Sequence, residues 1–596
     1  MVRVRDLRMA HAGLIACFGL LMTLAAPSGA VALDLEARLL GGSDYEGAQC
    51  VGIGPDSTVY VVGRTRSPDF PGTETGYAPE PTPDAEPGSL ESYICRLSPD
   101  GQTILSATYF GGTGDEFPYT LAVGPAGDIY VAGYTFSADL PVTVGAYDPS
   151  HNGNADHFVA RFTPALDDLL ACTFVGGSGE DLIQSGGGLT LDTTGNIYVA
   201  AGSNSSNFPT TSGAYDRTFG HGGGDAVVYS LTDDLSQMRS ATFLGNSSHD
   251  EATGVLVDND GRIVVLGNTY SGNFPTTVGA YDRSFNGVAD AYVVRFDAAL
   301  STLETSTFVG GSFSDWGADL TLLADGRVLF TTTTESSNFP TTPGAYDRVR
   351  GGALDVAISV LDGDLALLEA STFLGGASAE WSCGHVIGDD GSILICGTTT
   401  GPGFPVSTDA LQDSHSGEYD SFLTVISLDL TSMIYSTYLG GSADETAYAL
   451  VGSPTGDAFL VGNTASTDHP LNFGAPSGPT DALLVQIGGF EISGVLDGGL
   501  PTGHGLQWHG AVPNPFNPRT AISFTLAESE TVRLSIHDLR GREIAVVANR
   551  EFAAGRHAIP WLGSDKWGRS VAAGVYLVRL AGARSGSRTG KISLIR

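Results

Sequence analysis

Lysine is almost missing from this chain of 596 residues: between residues 33 and 510 there is none, and 13 arginines face 59 aspartates and glutamates, so 13 − 59 leaves that stretch at −46. Nucleic-acid affinity comes from Lys and Arg releasing counterions from phosphate, so a body this poor in cations excludes nucleic acid as a partner. Metal cations and neutral glycans are not excluded. Long apolar runs are also missing: after residue 32 no segment reaches the roughly 20 apolar residues that a membrane helix requires. Cysteine is scarce, with Cys50, Cys95, Cys172, Cys383 and Cys396 beyond residue 32, and no histidine cluster at ligand spacing accompanies them. Cys383 and Cys396 flank the turn GDDGS on adjacent expected strands, facing the same side. Two readings stand for them, a disulfide or a pair of small buried hydrophobes.

Catalytic signatures are absent as well. No G-x-S-x-G, H-E-x-x-H or phosphate-binding glycine loop occurs, and the histidines His151, His157, His221, His249, His385, His415 and His469 have no evident nucleophile beside them by motif. Asp258-Asn259-Asp260-Gly261 looks like the start of a calcium loop but lacks the downstream bidentate Glu, which makes it a hairpin turn.

What is present begins with a basic start (Arg3, Arg5, Arg8), an apolar run and a small-residue ending Ala30-Val31-Ala32. That pattern is a secretory signal peptide over residues 1–32, and it implies a mature chain that is exported with no transmembrane segment. The chain is rich in glycine, with 81 residues. It also repeats itself: NFPTTVGAYD at 273–282 returns as NFPTTSGAYD at 207–216 and NFPTTPGAYD at 338–347.

A second motif, T-F-[LV]-G-G, sets the period. Its first glycines fall at Gly41, Gly111, Gly176, Gly245, Gly310, Gly375 and Gly440, at intervals of 70, 65, 69, 65, 65 and 65 residues. Each unit contains four runs of strand character, which in the fourth unit are Thr253–Asp258, Arg262–Thr269, Ala291–Asp297 and Glu304–Gly311. Short glycine- or aspartate-bearing turns such as DNDGR join the first two. Four antiparallel strands repeated seven times predict a seven-bladed β-propeller, an all-β fold, over residues 33–488. The last unit has no fourth strand, and ARLLGG at 37–42 is a lone fourth-type strand. The N-terminal strand is therefore expected to complete the seventh blade and close the ring.

The units G-G-x-x-x-D/E, then D-x-x-G-N-I-Y-V-A, then N-F-P-T-T-x-G-A-Y-D resemble the SBBP repeat of bacterial exported proteins. That resemblance implies the propeller fold and hardly constrains activity. After a glycine-rich linker at 489–510, residues 511–596 turn basic, 13 − 6 giving +7, and read as about seven short strands of a small β-sandwich. The PNPFNP opening, the turn Asp538 to Arg542, the G-V-Y strand at Gly574 to Tyr576 and the final basic strand resemble the type A C-terminal sorting domain of type IX secretion and the related FlgD-like immunoglobulin-type domain. The resemblance implies the type IX secretion machinery as partner, and delivery to the outer surface of, or secretion from, a Gram-negative-type bacterium.

Two acidic positions recur in every unit. Four residues past the second position of the G-G pair stand Glu46, Glu116, Asp181, Asp250, Asp315, Glu380 and Glu445, expected in the loop before the first strand. Opening the third strand stand Glu91, Asp156, Asp225, Asp290, Asp355, Asp420 and Asp481. Both sets are expected on one face of the ring, the first near the channel mouth. Either the first set binds a cation, with calcium the candidate cofactor, or the carboxylates accept N–H groups of neighbouring loops and lock blade to blade. Sevenfold recurrence is what a structural rule produces. Differences between blades are better pointers to a ligand, and one residue beyond the loop carboxylate the second, fifth and sixth units carry Phe117, Trp316 and Trp381, rings suited to stacking on a glycan or to packing between blades.

The expectation from sequence is a non-enzymatic binding or scaffold protein whose propeller face takes a glycan or a surface protein. The alternatives are a carbohydrate-active enzyme using two face carboxylates and a purely structural surface-layer component.

Overall fold

The computed structural model describes residues 33–490 apart from 84–87, 183–186, 221, 389 and 474, and then 506–512, 520–526, 529–537, 542–552, 555–561, 563–566, 569, 571–582 and 586–594. The signal peptide at 1–32, most of the linker, the PNPFNP opening and all but the last residue of the 538–542 turn lie outside the described residues. The chain forms two compact units dividing between residues 500 and 501. Among the described residues no helix is long and apolar enough to cross a membrane.

In the first unit the described strands build seven antiparallel sheets, laid down in chain order. The fourth is typical: Asp250–Val257, Ile263–Thr269, Asp290–Phe296 and Leu303–Val309, each hydrogen-bonded to the next. The second and third strands are β-branched and aliphatic and are buried along their whole length, which is what a strand covered on both faces looks like. The first strands of successive sheets touch one another in order, and that of the last, Glu445–Gly452, also touches that of the first, Glu46–Ile53. The N-terminal strand Asp34–Leu40 pairs with Asp481–Gly488 through seven register positions from Asp34↔Gly488 to Leu40↔Ala482, and so supplies the outer strand of the last sheet. This is propeller architecture, with the chain's first strand covering an edge that would otherwise be open.

One boundary differs from the sequence reading in a way that matters. The first strand of the fourth sheet starts at Asp250, not Thr253, because a fully buried, hydrogen-bonded carboxylate is tolerated at a strand end where loop chemistry is expected from its polarity. In all seven sheets the first acidic set opens the innermost strand and the second set opens the third strand.

The decapeptide has a structural task. In the fourth sheet it lies along the outermost strand: Thr277 N–H donates to Ser306 O (3.2 Å), Phe308 N–H to Asp282 O (3.0 Å), and the Ser306 hydroxyl to Pro275 O (2.6 Å). It thus occupies hydrogen-bonding groups of an exposed edge. Its Phe274 stacks on Tyr292, ring centroids 4.3 Å apart. Its Tyr281 N–H reaches the next sheet, donating to Leu365 O at 2.9 Å. Leu365 is held at φ 54, as are Leu166, Leu235, Leu300 and Leu430 at φ 53–62. A left-handed leucine costs about 1 kcal/mol, offset here by complete burial of each side chain and by the carbonyl that each presents to a tyrosine N–H of the preceding blade.

The second unit is a two-sheet sandwich. Leu506–Val512, Thr520–Leu526 and Gly555–Trp561 form one sheet; Glu543–Phe552, Glu530–His537, Gly574–Gly582 and Gly586–Leu594 form the other. Phe524, Val532, Leu534, Ile536, Trp561 and Val578 are among its buried core.

Candidate functional site

The acidic positions meet in pairs at the blade junctions. At the junction of the fourth and fifth blades, Asp315 is fully buried and accepts Gly311 N–H at 2.6 Å, the Ser336 hydroxyl at 2.9 Å and the Thr334 hydroxyl. Its own backbone N–H crosses to the preceding blade and donates to Ala289 O at 2.9 Å. Asp290, next along that blade, accepts Asn286 N–H at 2.8 Å through one oxygen. Its other oxygen, Oδ1, is buried without a partner. Between the two carboxylates lies Gly310, where a Cβ would sit 2.6 Å from Asp290 Oδ1 and 2.9 Å from Asp315 Oδ2. The first glycine of the recurrent pair is therefore a spacer that admits two carboxylates to one small volume.

The arrangement repeats around the ring. The same glycine separates Asp481 from Glu46, Glu91 from Glu116, Asp156 from Asp181, Asp225 from Asp250, Asp355 from Glu380, and Asp420 from Glu445. In every blade the backbone N–H of the first acid donates to the carbonyl of the residue before its partner acid, for example Glu46 N–H to Thr480 O at 3.0 Å and Glu445 N–H to Tyr419 O at 2.9 Å. Two hydroxyls at the end of the second strand serve each first acid, such as Thr65 and Ser67 for Glu46 and Ser203 and Ser205 for Asp181. The sixth blade departs, having Gly401 in place of the second hydroxyl.

Burial raises these carboxyls above the ordinary range. Asp290 and Asp225 are pushed up to about 7 by burial first, opposed by backbone N–H groups and reinforced by the charges of Asp315 and Asp250 across the junction. Burial likewise takes Glu116 to about 7 and Asp420 to about 7. Unpartnered buried oxygens remain on Glu116, Asp156, Asp225, Asp290 and Asp420, next to a second carboxylate in each case. Two like charges in one buried volume favour a single proton over two anions.

Calcium does not fit these positions. It requires six to eight oxygen ligands, whereas each first acid is fully buried and met by N–H and O–H donors whose protons point at its oxygens. Among the described residues no group of three His, Cys, Asp or Glu side chains is placed to hold a metal. The expected acidic ring at a channel mouth is instead a set of separate buried pairs.

The three aromatic positions are half-buried and follow the first acid on the innermost strand. Trp316 donates Nε1–H to the Tyr270 hydroxyl of the preceding blade at 3.1 Å. Trp381 holds the same place in the next blade, paired with Thr398. Phe117 is not beside them. It stacks on Tyr134 (4.7 Å between centroids, planes 13° apart), Tyr134 stacks on Tyr119 (5.8 Å), and the Arg64 guanidinium of the preceding blade lies 5.1 Å from the Phe117 ring centre. Phe136, 46% exposed, meets both Phe117 and Tyr134 edge-on. Arg66 lies 5.7 Å from the ring of Tyr45. Burial raises the Tyr448 hydroxyl, on which nearby Tyr45 and Arg64 also act.

Sequence reasoning missed a bulge. In six innermost strands the pairing skips the residue three beyond the first acid, Gln49, Tyr119, Thr253, Ala318, Cys383 and Tyr448, and bulges re-aim side chains beside functional surfaces. The bulge also decides the cysteines. Ser382 pairs with Gly397 and Gly384 with Cys396, leaving Cys383 out of register. Both are free thiols, and burial pushes Cys383 up to about 12. His385 Nδ1 lies 3.0 Å from Asp319 Oδ2, which also accepts the His385 backbone N–H at 2.8 Å, a further tie between the fifth and sixth blades.

No family model matches the chain, and no curated protein matches it. Solved structures that align with it include a protein of unknown function from Dyadobacter fermentans (12% identity, 77% of this chain and 98% of that one, TM-score 0.37). Others are BamB from Moraxella catarrhalis (8%, 75% and 98%, 0.31) and an alpha-L-arabinanase from Penicillium chrysogenum in complex with arabinobiose (11%, 77% and 98%, 0.32). These likenesses are too distant to carry an argument, and the propeller reading rests on the strand pairing.

Proposed function

We propose that this chain is an exported, non-enzymatic binding and scaffold protein whose propeller takes a glycan at the starts of its innermost strands. The observation that carries the reading is the half-exposed aromatic and arginine group around Phe117, Tyr134, Phe136 and Arg64, which differs from blade to blade while the acids beneath it do not. Aromatic faces supply large contact area at low entropic cost, and sugar C–H faces stack on them. An enzyme reading built on paired carboxylates is disfavoured, since all fourteen candidate acids are buried to 8% exposure or less and a substrate bond has no access to them. The sequence resemblance to SBBP repeats supports an exported scaffold. That of the last 86 residues, 511–596, to type IX sorting domains supports delivery of the propeller to the outer surface or the medium by that machinery.

Two experiments test this. A glycan array probed with wild type and with Phe117→Ala, Trp316→Ala and Trp381→Ala combined should show binding lost in the variant; absence of any wild-type binding defeats the glycan reading. Deletion of 511–596 followed by cell fractionation should retain the propeller inside the cell, and unchanged delivery defeats the sorting reading.

A further inference from the structure

The geometry points to a carboxylate-bearing saccharide, a uronate-type sugar, as the ligand class of this site, with Arg64 and Arg66 as the residues that read its charge. This rests on the glycan reading above and sharpens it. The argument starts from the scarcity of cations. Among the arginines of the propeller's second and third strands, Arg96, Arg161, Arg262, Arg295 and Arg327 each have a carboxylate within ion-pair distance. Arg64 and Arg66 have none among the described residues, although the chain around them is strongly acidic.

Their side chains are nevertheless held in place. Arg64 lies over Phe117, which Tyr134 backs in a parallel stack. Arg66 lies over Tyr45 and anchors Nε–H on Gly88 O at 3.0 Å, leaving its terminal nitrogens without a protein acceptor. Arg64 Nε is buried with no acceptor at all. A guanidinium stacked on a ring is oriented and partly dehydrated, so a planar anion can engage it through two parallel N–H···O bonds with little further ordering. The edge of the same patch is apolar and exposed at Phe136 and Tyr448, 46% and 39%, so the anion that fits carries a ring with an apolar face. A hexuronate has both parts, whereas a bare anion has one and a neutral sugar the other.

The test is calorimetric titration of the full chain, at one fixed ionic strength, with a galacturonate oligosaccharide, with its carboxyl-reduced counterpart of equal length, and with poly-glutamate. Arg64→Gln with Arg66→Gln is titrated alongside, and its far-ultraviolet spectrum and thermal midpoint establish folding. We expect the uronate to bind at least roughly tenfold tighter than the reduced sugar, the scale of a charge-assisted pair. The double variant should lose that preference while binding the reduced sugar as wild type does. Equal binding of both sugars by wild type overturns the uronate inference and leaves the glycan reading standing. Binding of neither sugar overturns both, and equal binding of poly-glutamate overturns saccharide recognition in favour of charge alone. If the double variant keeps the uronate preference, the assignment of Arg64 and Arg66 falls.

Discussion

Asp315 and Trp316 are consecutive residues on one strand, yet they belong to different regions with different rules. Asp315 points into a junction that seven blades build alike, fully buried, accepting three donors and facing a second carboxylate across a glycine. Trp316 stands where the other blades have Gly47, Phe117, Leu182, Glu251, Trp381 and Thr446, half-buried at the start of the innermost strand. The difference teaches how a repeat protein divides labour: positions that close the ring cannot vary, and alternate positions on the same strand are released to vary. A strand's period of two makes the division available at no cost in backbone geometry.

The comparison breaks most visibly at the junction. Asp315→Ala orphans the Gly311 N–H and the hydroxyls of Thr334 and Ser336, and we expect a loss of about 3–5 kcal/mol in urea-induced unfolding. A midpoint within experimental error of wild type would sink the structural reading of the acids. Next in size is Gly310→Ala, whose new Cβ meets Asp290 Oδ1 at 2.6 Å and Cγ at 2.8 Å. Forced repacking of this kind costs about 1–3 kcal/mol, and the same unfolding assay should report it. On the other side of the comparison, Arg64→Gln removes no ion pair, so unfolding should move by no more than about 0.5 kcal/mol even where binding is lost.

Much of this was legible beforehand because it depends on spacing. The seven periods, the unpaired N-terminal strand and both acidic sets are visible as residue numbers, and Asp34–Leu40 does pair with Asp481–Gly488. The pairing of the two sets was not visible. Asp290 and Asp315 stand 25 residues apart in chain order and meet only because consecutive blades pack side by side. The hydroxyl pairs of the Thr334 and Ser336 type were hidden for a different reason, since threonine and serine at a strand end look like ordinary surface. The bulge at Tyr119 or Cys383 leaves no mark in composition, so the disulfide reading lacked the one-residue offset that separates the two thiols. The decapeptide was assigned to the acidic face because loops are expected there, whereas Thr277 and Asp282 bond along the outer strand. Its first position was underrated too: Asn207, Asn273 and Asn338 cap the following Ser178, Ser247 and Ser312 loops, and Asp69, Asp139 and Asp468 do the same in blades where the motif looks degraded.

The junctions also make stability depend on pH, with a definite sign. Carboxyls such as Asp290, Asp225, Glu116 and Asp420 have native values raised to about 7, so the native state holds protons more tightly than the unfolded chain. Their contribution is complete below the ordinary carboxylate range and is lost as pH rises toward about 7. Turn aspartates run the other way: the Thr232 hydroxyl holds Asp234, and the Ser427 hydroxyl holds Asp429, below the ordinary value, a contribution lost as pH falls below it. Unfolding free energy should therefore rise from pH 8 to pH 5 and decline again below about pH 3.5.

The most direct test of the junction account uses Asp290→Asn, because an amide can donate where the unpartnered Asp290 Oδ1 faces Asp315. Unfolding free energies of wild type and variant are to be measured at pH 5 and pH 8. The account predicts equal stability at pH 5 and a variant more stable by about 1–2 kcal/mol at pH 8, where wild type must hold two carboxylates together. A variant less stable than wild type at pH 8, or a difference that does not change between the two pH values, would contradict it.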